Sequence, residues 1–470
     1  MPRLFIDVSD LVDYARDNSS LSGIQRVSIE VIRRYANSIS ARNVKLIRFD
    51  PRTGDLSYHD IDFFSGAYRF DHREFCRYFG VSGSDGSVDL NDYLRRRYRS
   101  SGLRRVHRVR NIALNLLSGG SRFRQRRISW RLTGALPLPG RVEAGPRAGD
   151  TIFIPGATWG MTAYIERLEG LRADGVGVVQ FIHDLIPLAT PEHVGDYVPR
   201  KFFDWLQTMS GIVDVYLANS EATRRDLIAF IDKSGAARRP CHVIPLAHEF
   251  PSRPPKPDRG TALSKPEVVF LSKRDVPEEV HARTLNASRF PFVLCVGTIE
   301  SRKNVYALAR VWMEIHKRLG FGAPRLILAG KSGSQKEDFD DLMRGSGCCD
   351  GMIAIVERPS DADLAYLYKS CLFSVCVSVY EGWGLPIGES LWFGKTVVSS
   401  FTSSMPEVGG DMVAYVDPHD PQDMLDGILR MISDEPYRAS FEQRIRRDRL
   451  RTWDMVADDI MTALGRVTAI

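Results

Sequence analysis

The segment YEGWGLPIGES holds two glutamates, Glu381 and Glu389, with Gly382, Gly384 and Pro386 between them. A carboxylate accepts two hydrogen bonds and can grip a vicinal diol, so each glutamate is a candidate holder of a sugar. The glycines permit a tight turn whose amides reach a phosphate or a hydroxyl. Pro386 suits the first turn of a helix and puts Glu389 about one turn inside it. Two acids that only stabilise a helix N-terminus would show the same spacing. The glycines favour the sugar reading, as does the apolar run LFSVCVSVY, which delivers Glu381 to its carboxyl end.

A second cluster follows another apolar run. In FVLCVGTIESRKN, Gly297 lets backbone approach a ligand, and Arg302 and Lys303 stand at the mouth of the next helix. A helix N-terminus with free amides and a cation suits a diphosphate. A solvated basic turn accounts for the same residues equally well. The stretch is no P-loop, because GxxxxGK[ST] is missing. In the N-terminal half, FIHDLIP ends an apolar run on His183 and Asp184, and Gly23 in LSGIQRV stands where the first helix opens. A histidine in such a place is as often a structural hydrogen bonder as a catalytic one. Asp361-Ala362-Asp363 has the look of a metal-binding DxD. Ser360 followed by Asp363 is more simply a helix cap, and no metal is expected.

The elements that must position these residues are short apolar runs alternating with amphipathic stretches. RLFIDV (3–8), KLIRFD (45–50), DTIFIPG (150–156), VGVVQFIHD (176–184), VDVYLANS (213–220) and CHVIPLA (241–247) read as strands. Val27, Ile29, Val31, Ile32 and Tyr35 have the spacing of a helix opening near Gly23. Residues 51–150 fit the alternation poorly. The stretch 251–290, rich in Pro, Lys and Ser, reads as a linker, and the alternation then resumes from 292 to about 445. A helix over 446–470 closes the chain. Strands alternating with helices imply parallel sheets, whose ligands bind at the carboxyl ends of the strands. The fold class is therefore α/β, with two doubly wound domains facing a central cleft.

Residues 292–430 carry a run of motifs in a familiar order: VGTIESRKN (296–304), LILAGKSG (326–333), SDADLAYLY (360–368), VYEGWGLPIGESLWFGKTVVSS (379–400) and MPEVGGDMVAYVDPHD (405–420). With them the chain resembles the retaining GT-B glycosyltransferases, a family that includes bacterial mannosyltransferases of O-antigen and capsule assembly. In the N-terminal half the matching pieces are GIQRV, the pair His183-Asp184 and ANSEATRRDL (218–227). The resemblance implies a Rossmann-like acceptor-side domain over 1–260 and a nucleotide-sugar-binding one over 291–445. It implies that Lys303, with Arg302 beside it, contacts the donor diphosphate. Glu381 would hold hydroxyls of the transferred sugar, and Glu389 the ribose diol. Amides near Gly384 and Leu385 would reach the donor, together with the Gly297 turn. His183 would touch the donor sugar, and Gly23 would let the first loop near the diphosphate. Many relatives have an arginine where this chain has Thr298, which leaves Arg302 as the candidate second cation. The implied activity moves a sugar, mannose from GDP-mannose by the nearest resemblance, to a saccharide or lipid-linked saccharide. UDP-sugars are the alternative donor. The nucleotide-sugar is a substrate, and no cofactor is expected.

Composition excludes some classes. The chain has 470 residues, 43% hydrophobic and 26% charged, ordinary values for a soluble globular protein. No apolar stretch is long enough to span a membrane, and MPRLFIDVSD reads as a first strand, not a signal peptide. The seven cysteines are scattered, several of them in apolar runs, which suggests reduced thiols and a cytoplasmic protein. Charge is unevenly spread. Between Asp92 and Glu143 there is no acid but 14 arginines, and removing those takes the net charge from +6 to −8. This segment, about 93–142, suits an insertion lying on anionic lipid at the inner face of the cell membrane or against a charged acceptor, or else a disordered basic loop. A nucleic-acid binder and a non-catalytic sugar-nucleotide binder are the competing classes. The acidity of the remaining chain speaks against the first, and the retention of Lys303, Glu381 and Glu389 against the second.

Overall fold

The computed structural model describes residues 2–18, 21–38, 43–51, 53–66, 68, 70–81, 141–142, 145–250 and 280–467. The Arg-rich insertion therefore lies outside the described residues except for Arg141 and Val142, as does the linker from 251 to 279. The chain forms two compact units, one built from residues 3–147 and 155–158, the other from 148–154 and 159–470. This division falls within the stretch 1–260, not in the linker.

In the first unit, β1 (Leu4–Asp7) pairs in parallel with β2 (Val44–Asp50). The pattern then departs from the parallel sheet expected from sequence. Strand β3 (Asp55–Asp60) is antiparallel to β2, and β4 (Arg141–Val142) is antiparallel to β3. The cause is the tight connection after Asp50. Gly54 takes φ 74° and returns its amide to the Asp50 carbonyl at 2.8 Å. So short a link can only fold the chain back on itself, since a parallel crossover needs about a dozen residues. Helices α1 (Ser9–Asp17) and α2 (Gly23–Ala36) follow the strand-to-helix pattern, and α2 buries Val27, Ile29, Val31, Ile32 and Tyr35 as their spacing requires.

The second unit holds two sets of parallel strands. One runs β5 (Thr151–Ile154), β6 (Gly177–Ile182), β7 (Val215–Ala218) and β8 (Cys241–Val243) in that order. The other contains β9 (Phe292–Val296), β10 (Arg325–Gly330), β11 (Ile353–Glu357), β12 (Ser374–Cys376), β13 (Val397–Ser400) and β14 (Ala414–Val416), in the order β11-β10-β9-β12-β13-β14. Both faces of this sheet are covered, so its strands are continuous apolar runs. Val293, Leu326 and Val375 pack on one side against Leu308 and Trp312 of α3 (Val305–Leu319). Leu294 and Ile327 pack on the other against Leu367 and Tyr368 of α4 (Asp361–Ser370). The strand order reverses between β9 and β12, and a sheet of this kind opens a ligand crevice outside the carboxyl ends at that reversal.

The end of the presumed linker is helical: residues Ala282–Ala287 form one turn and a half. The closing helix runs over Trp453–Val467 and returns to residues 245–249. The Trp453 indole donates to the Glu249 carbonyl at 2.9 Å, and Arg451 donates to the Pro245 carbonyl at 3.0 Å. All seven cysteines are free thiols, five of them buried. Among the described residues no helix is long and apolar enough to cross a membrane.

Candidate active site

The two strands that flank the reversal each end in a glycine-bearing loop. After β9, Gly297 takes φ 147°, a region that favours glycine. A Cβ there would lie 3.2 Å from Cε of Lys303, so the missing side chain lets the lysine lie across the strand end. Gly330, at the end of β10, closes the packing: a Cβ on it would fall 1.8 Å from the Gly297 carbonyl oxygen. A 3₁₀ turn, Ser301–Lys303, follows, and Asn304 at φ 58° starts α3. Thr298 is packed toward Gly333.

After β12 the chain passes through Tyr380, Glu381 and Gly382. Gly384, at φ 102°, precedes helix α5 (Leu385–Trp392), with Pro386 in the first turn as expected. The amide of Leu385 stands at this N-terminus. The Glu381 carboxylate meets both cations. One oxygen accepts from Lys303 Nζ, and the other accepts from Arg302 at 3.0 Å. Arg302 also donates to the Tyr380 carbonyl at 2.7 Å and to Glu300 at 2.6 Å. Burial alone would raise the Glu381 carboxyl, but Lys303 and then Arg302 outweigh it and hold the group down at about 2. Burial likewise opposes the charge on Arg302, and Glu381, followed by Glu300, restores it. Thr298 supplies no cation, and Arg302 stands beside Lys303 on the same carboxylate.

Glu389 is buried one turn into α5, where the Tyr368 hydroxyl donates to it at 2.9 Å. His183 and Asp184 lie at the carboxyl end of β6, and they reach the same loop. A Cβ on Gly382 would fall 2.0 Å from the His183 carbonyl oxygen and 2.8 Å from Cβ of Asp184. The structure thus brings Lys303, Arg302, Glu381, His183, Gly297 and Gly384 to neighbouring loops, with Glu389 behind them. Gly23 belongs to the first unit, where it opens α2.

Several residues without a role in the sequence analysis hold this arrangement. Asn219 donates to the His183 carbonyl at 2.6 Å, and Ser220 donates to the Gly382 carbonyl at 2.8 Å. Glu407 accepts from the amides of Glu221 and Ala222 at 2.8 and 2.9 Å, capping the helix Glu221–Ser234. The Ser-Thr run after β13 staples the Glu381 loop. Ser403 accepts from the Glu381 amide at 2.9 Å, and Ser404 donates to the carbonyls of Glu381 and Trp383. The only sequence signal for this is the hydroxyl density of SSFTSS (399–404). Asp363 is a cap: its amide donates to Ser360 Oγ at 3.1 Å, and its carboxylate accepts from the Ser360 amide and from His281. Burial opposes these bonds, which still hold its carboxyl well below the usual range.

Residues 277–448 match the family described as Glycosyl transferases group 1. The chain is 35% identical over 147 residues to O-antigen chain mannosyltransferase B of Escherichia coli, a match covering 31% of this chain and 38% of that one. It is 27% identical over 257 residues to the serotype-specific mannosyltransferase WbdA of Escherichia coli, covering 54% of this chain and 29% of that one. The matches thus span about a third of the length of these relatives. Among solved structures, Anabaena HepE in complex with UDP and glucose superposes with a TM-score of 0.57 at 14% identity, covering 99% of this chain and 100% of that one. The trehalose 6-phosphate synthase of Burkholderia multivorans gives 0.53 at 12% identity, covering 100% and 99%. The fold is GT-B, with Rossmann-like parallel α/β sheets.

Proposed function

We propose that this chain is a retaining hexosyltransferase that moves mannose from GDP-mannose to a saccharide or lipid-linked saccharide, in surface polysaccharide assembly at the cytoplasmic face of a membrane. The observation that carries the reading is the Lys303–Glu381–Arg302 cluster at the strand-order reversal. It pairs two cations suited to a diphosphate with a carboxylate suited to sugar hydroxyls. Glu389, oriented by Tyr368, supports a ribose diol one helical turn away. The relatives named as mannosyltransferases favour mannose. HepE was solved with UDP and glucose, which makes UDP-sugars the second donor class to test.

In this reading Lys303, Arg302 and the amides at the start of α5 stabilise the departing diphosphate. The acceptor oxygen attacks the anomeric carbon on the face the diphosphate leaves, and its proton passes to a departing phosphate oxygen. The bond from anomeric carbon to phosphate oxygen breaks as the new glycosidic bond forms. Glu381 orients the sugar and forms no covalent adduct, so catalysis is positioning and charge stabilisation. The test is transfer from GDP-mannose and from UDP-glucose to saccharide acceptors, with proton NMR of the first-formed linkage. An α-linked product from the α-linked donor is expected, unchanged by EDTA. A β-linked product overturns retention, and no transfer or hydrolysis from any nucleotide-sugar overturns the enzyme.

A further inference from the structure

We infer that Asp184 is a donor-binding residue that works as a neutral carboxylic acid, giving a hydrogen bond to an oxygen of the nucleotide-sugar. The inference deepens the glycosyltransferase reading above and rests on it. Its first support is position. Asp184 follows β6 and lies against Gly382, next to the residue that holds both cations. Gly382 is the reason this is possible, since a side chain there would occupy the space of the His183 carbonyl and the Asp184 Cβ. Among the described residues one hydrogen bond reaches the Asp184 carboxyl, from the Ile186 amide to Oδ1 at 3.1 Å. Asp184 as a whole is half-buried.

The second support is the local charge. The loop after β9 faces Asp184 with Arg302 and Lys303, and the loop after β12 faces it with Tyr380 and Glu381. Glu300 draws on Arg302 as well. Lys303 and Arg302 are thus already matched by Glu381 and Glu300. An ionised Asp184 would give the cluster an excess negative charge, at the place where a diphosphate has to be received. A protonated Asp184 leaves it neutral and turns a repelling oxygen into a donor. Burial pushes the Asp184 carboxyl up and Glu381 adds to that, against the opposing pull of Arg302. Two carboxyls in one site are thereby set apart, Glu381 as the anion that accepts and Asp184 as the acid that donates.

The test uses the full chain, with GDP-mannose and UDP-glucose as probes and Asp184→Asn as the variant. Asparagine keeps the oxygen that accepts from Ile186 and cannot ionise. Infrared difference spectra of the nucleotide-sugar complex at about neutral pH should show a protonated-carboxyl band that Asp184→Asn lacks. Titrating that band in the unaltered chain needs no variant. Donor affinity of the unaltered chain should fall by up to about tenfold per pH unit once Asp184 ionises, the slope of one linked proton, while Asp184→Asn stays flat. A bound complex without the band, or two parallel pH profiles, overturns the role of Asp184 and leaves the enzyme reading standing. Failure of both nucleotide-sugars to bind the unaltered chain overturns the enzyme reading and the inference together.

Discussion

Lys303 and Arg302 converge on one carboxylate, and that shared partner decides how each substitution acts. In Lys303→Ala, Glu381 keeps Arg302 and the Ser403 hydroxyl, so the fold should survive. On the proposed function the variant loses a cation that stabilises the leaving group, and transfer should drop about 10²–10³-fold, the usual cost of one such donor. Near-normal turnover of the folded variant, measured by product release, would remove Lys303 from the site. The two carboxyls also predict opposite responses of stability to pH. The folded-state value of Glu381 is depressed to about 2, so its contribution is present above the unfolded value of 4.5 and is lost as pH falls toward 2. Asp184 is raised, so its cost appears as pH climbs above the unfolded value of 3.8. Denaturant unfolding should therefore find Asp184→Asn gaining stability over the unaltered chain as pH rises, and Glu381→Gln losing least in acid. Identical pH slopes in all three proteins would refute both assignments.

At the scale of elements, the strands at the site were legible because they are buried on both faces and read as uninterrupted apolar runs, such as FVLCV and RLILAG. The glycines and Pro386 marked the loops for the same local reason. Strand β3 was not legible: DLSYHD is half polar and only its His59 is fully buried, so no run stands out, and its pairing depends on the turn at Gly54. The staples were hidden for a different reason. Asn219 and Ser220 act on His183 and Gly382, and distant hydrogen bonds leave no period in a sequence. Gly382 joins the two kinds of information, since its turn was visible and its packing was not. Gly382→Ala puts a Cβ 2.0 Å from the His183 carbonyl oxygen, a contact with backbone that cannot swing aside. Overpacking of this kind costs about 1–3 kcal/mol. Urea unfolding should show that loss, accompanied by a weaker donor affinity, because Asp184 and Glu381 must separate. An unchanged dissociation constant for the nucleotide-sugar would mean that the contact is not part of the site.

For the whole molecule, the informative quantity is where the charge lies. The formal net charge of +6 becomes −8 once the 14 arginines between Arg95 and Arg141 are set aside. An excess of that size within one stretch, interleaved with apolar residues as in RVHRVRNIALNLL, is out of proportion to what solubility needs. Near an anionic lipid surface each basic residue contributes about 1 kcal/mol, so even a few engaged arginines suffice for peripheral binding. The acidic remainder would be repelled by the same surface, which orients the chain with the arginine segment toward it. A lipid-linked acceptor would then be met where it resides. Removing residues 95–131 should abolish co-sedimentation with phosphatidylglycerol vesicles and leave affinity for the nucleotide-sugar unchanged, since none of the residues proposed to hold the donor falls in that stretch. Raising salt from about 0.1 to about 1 M shortens the screening length from about 10 to about 3 Å and should release the full chain in the same way. Equal vesicle binding by the full and shortened chains at every salt concentration would show that the arginines serve no membrane. Lost nucleotide-sugar affinity in the shortened chain would instead make the segment part of the donor site.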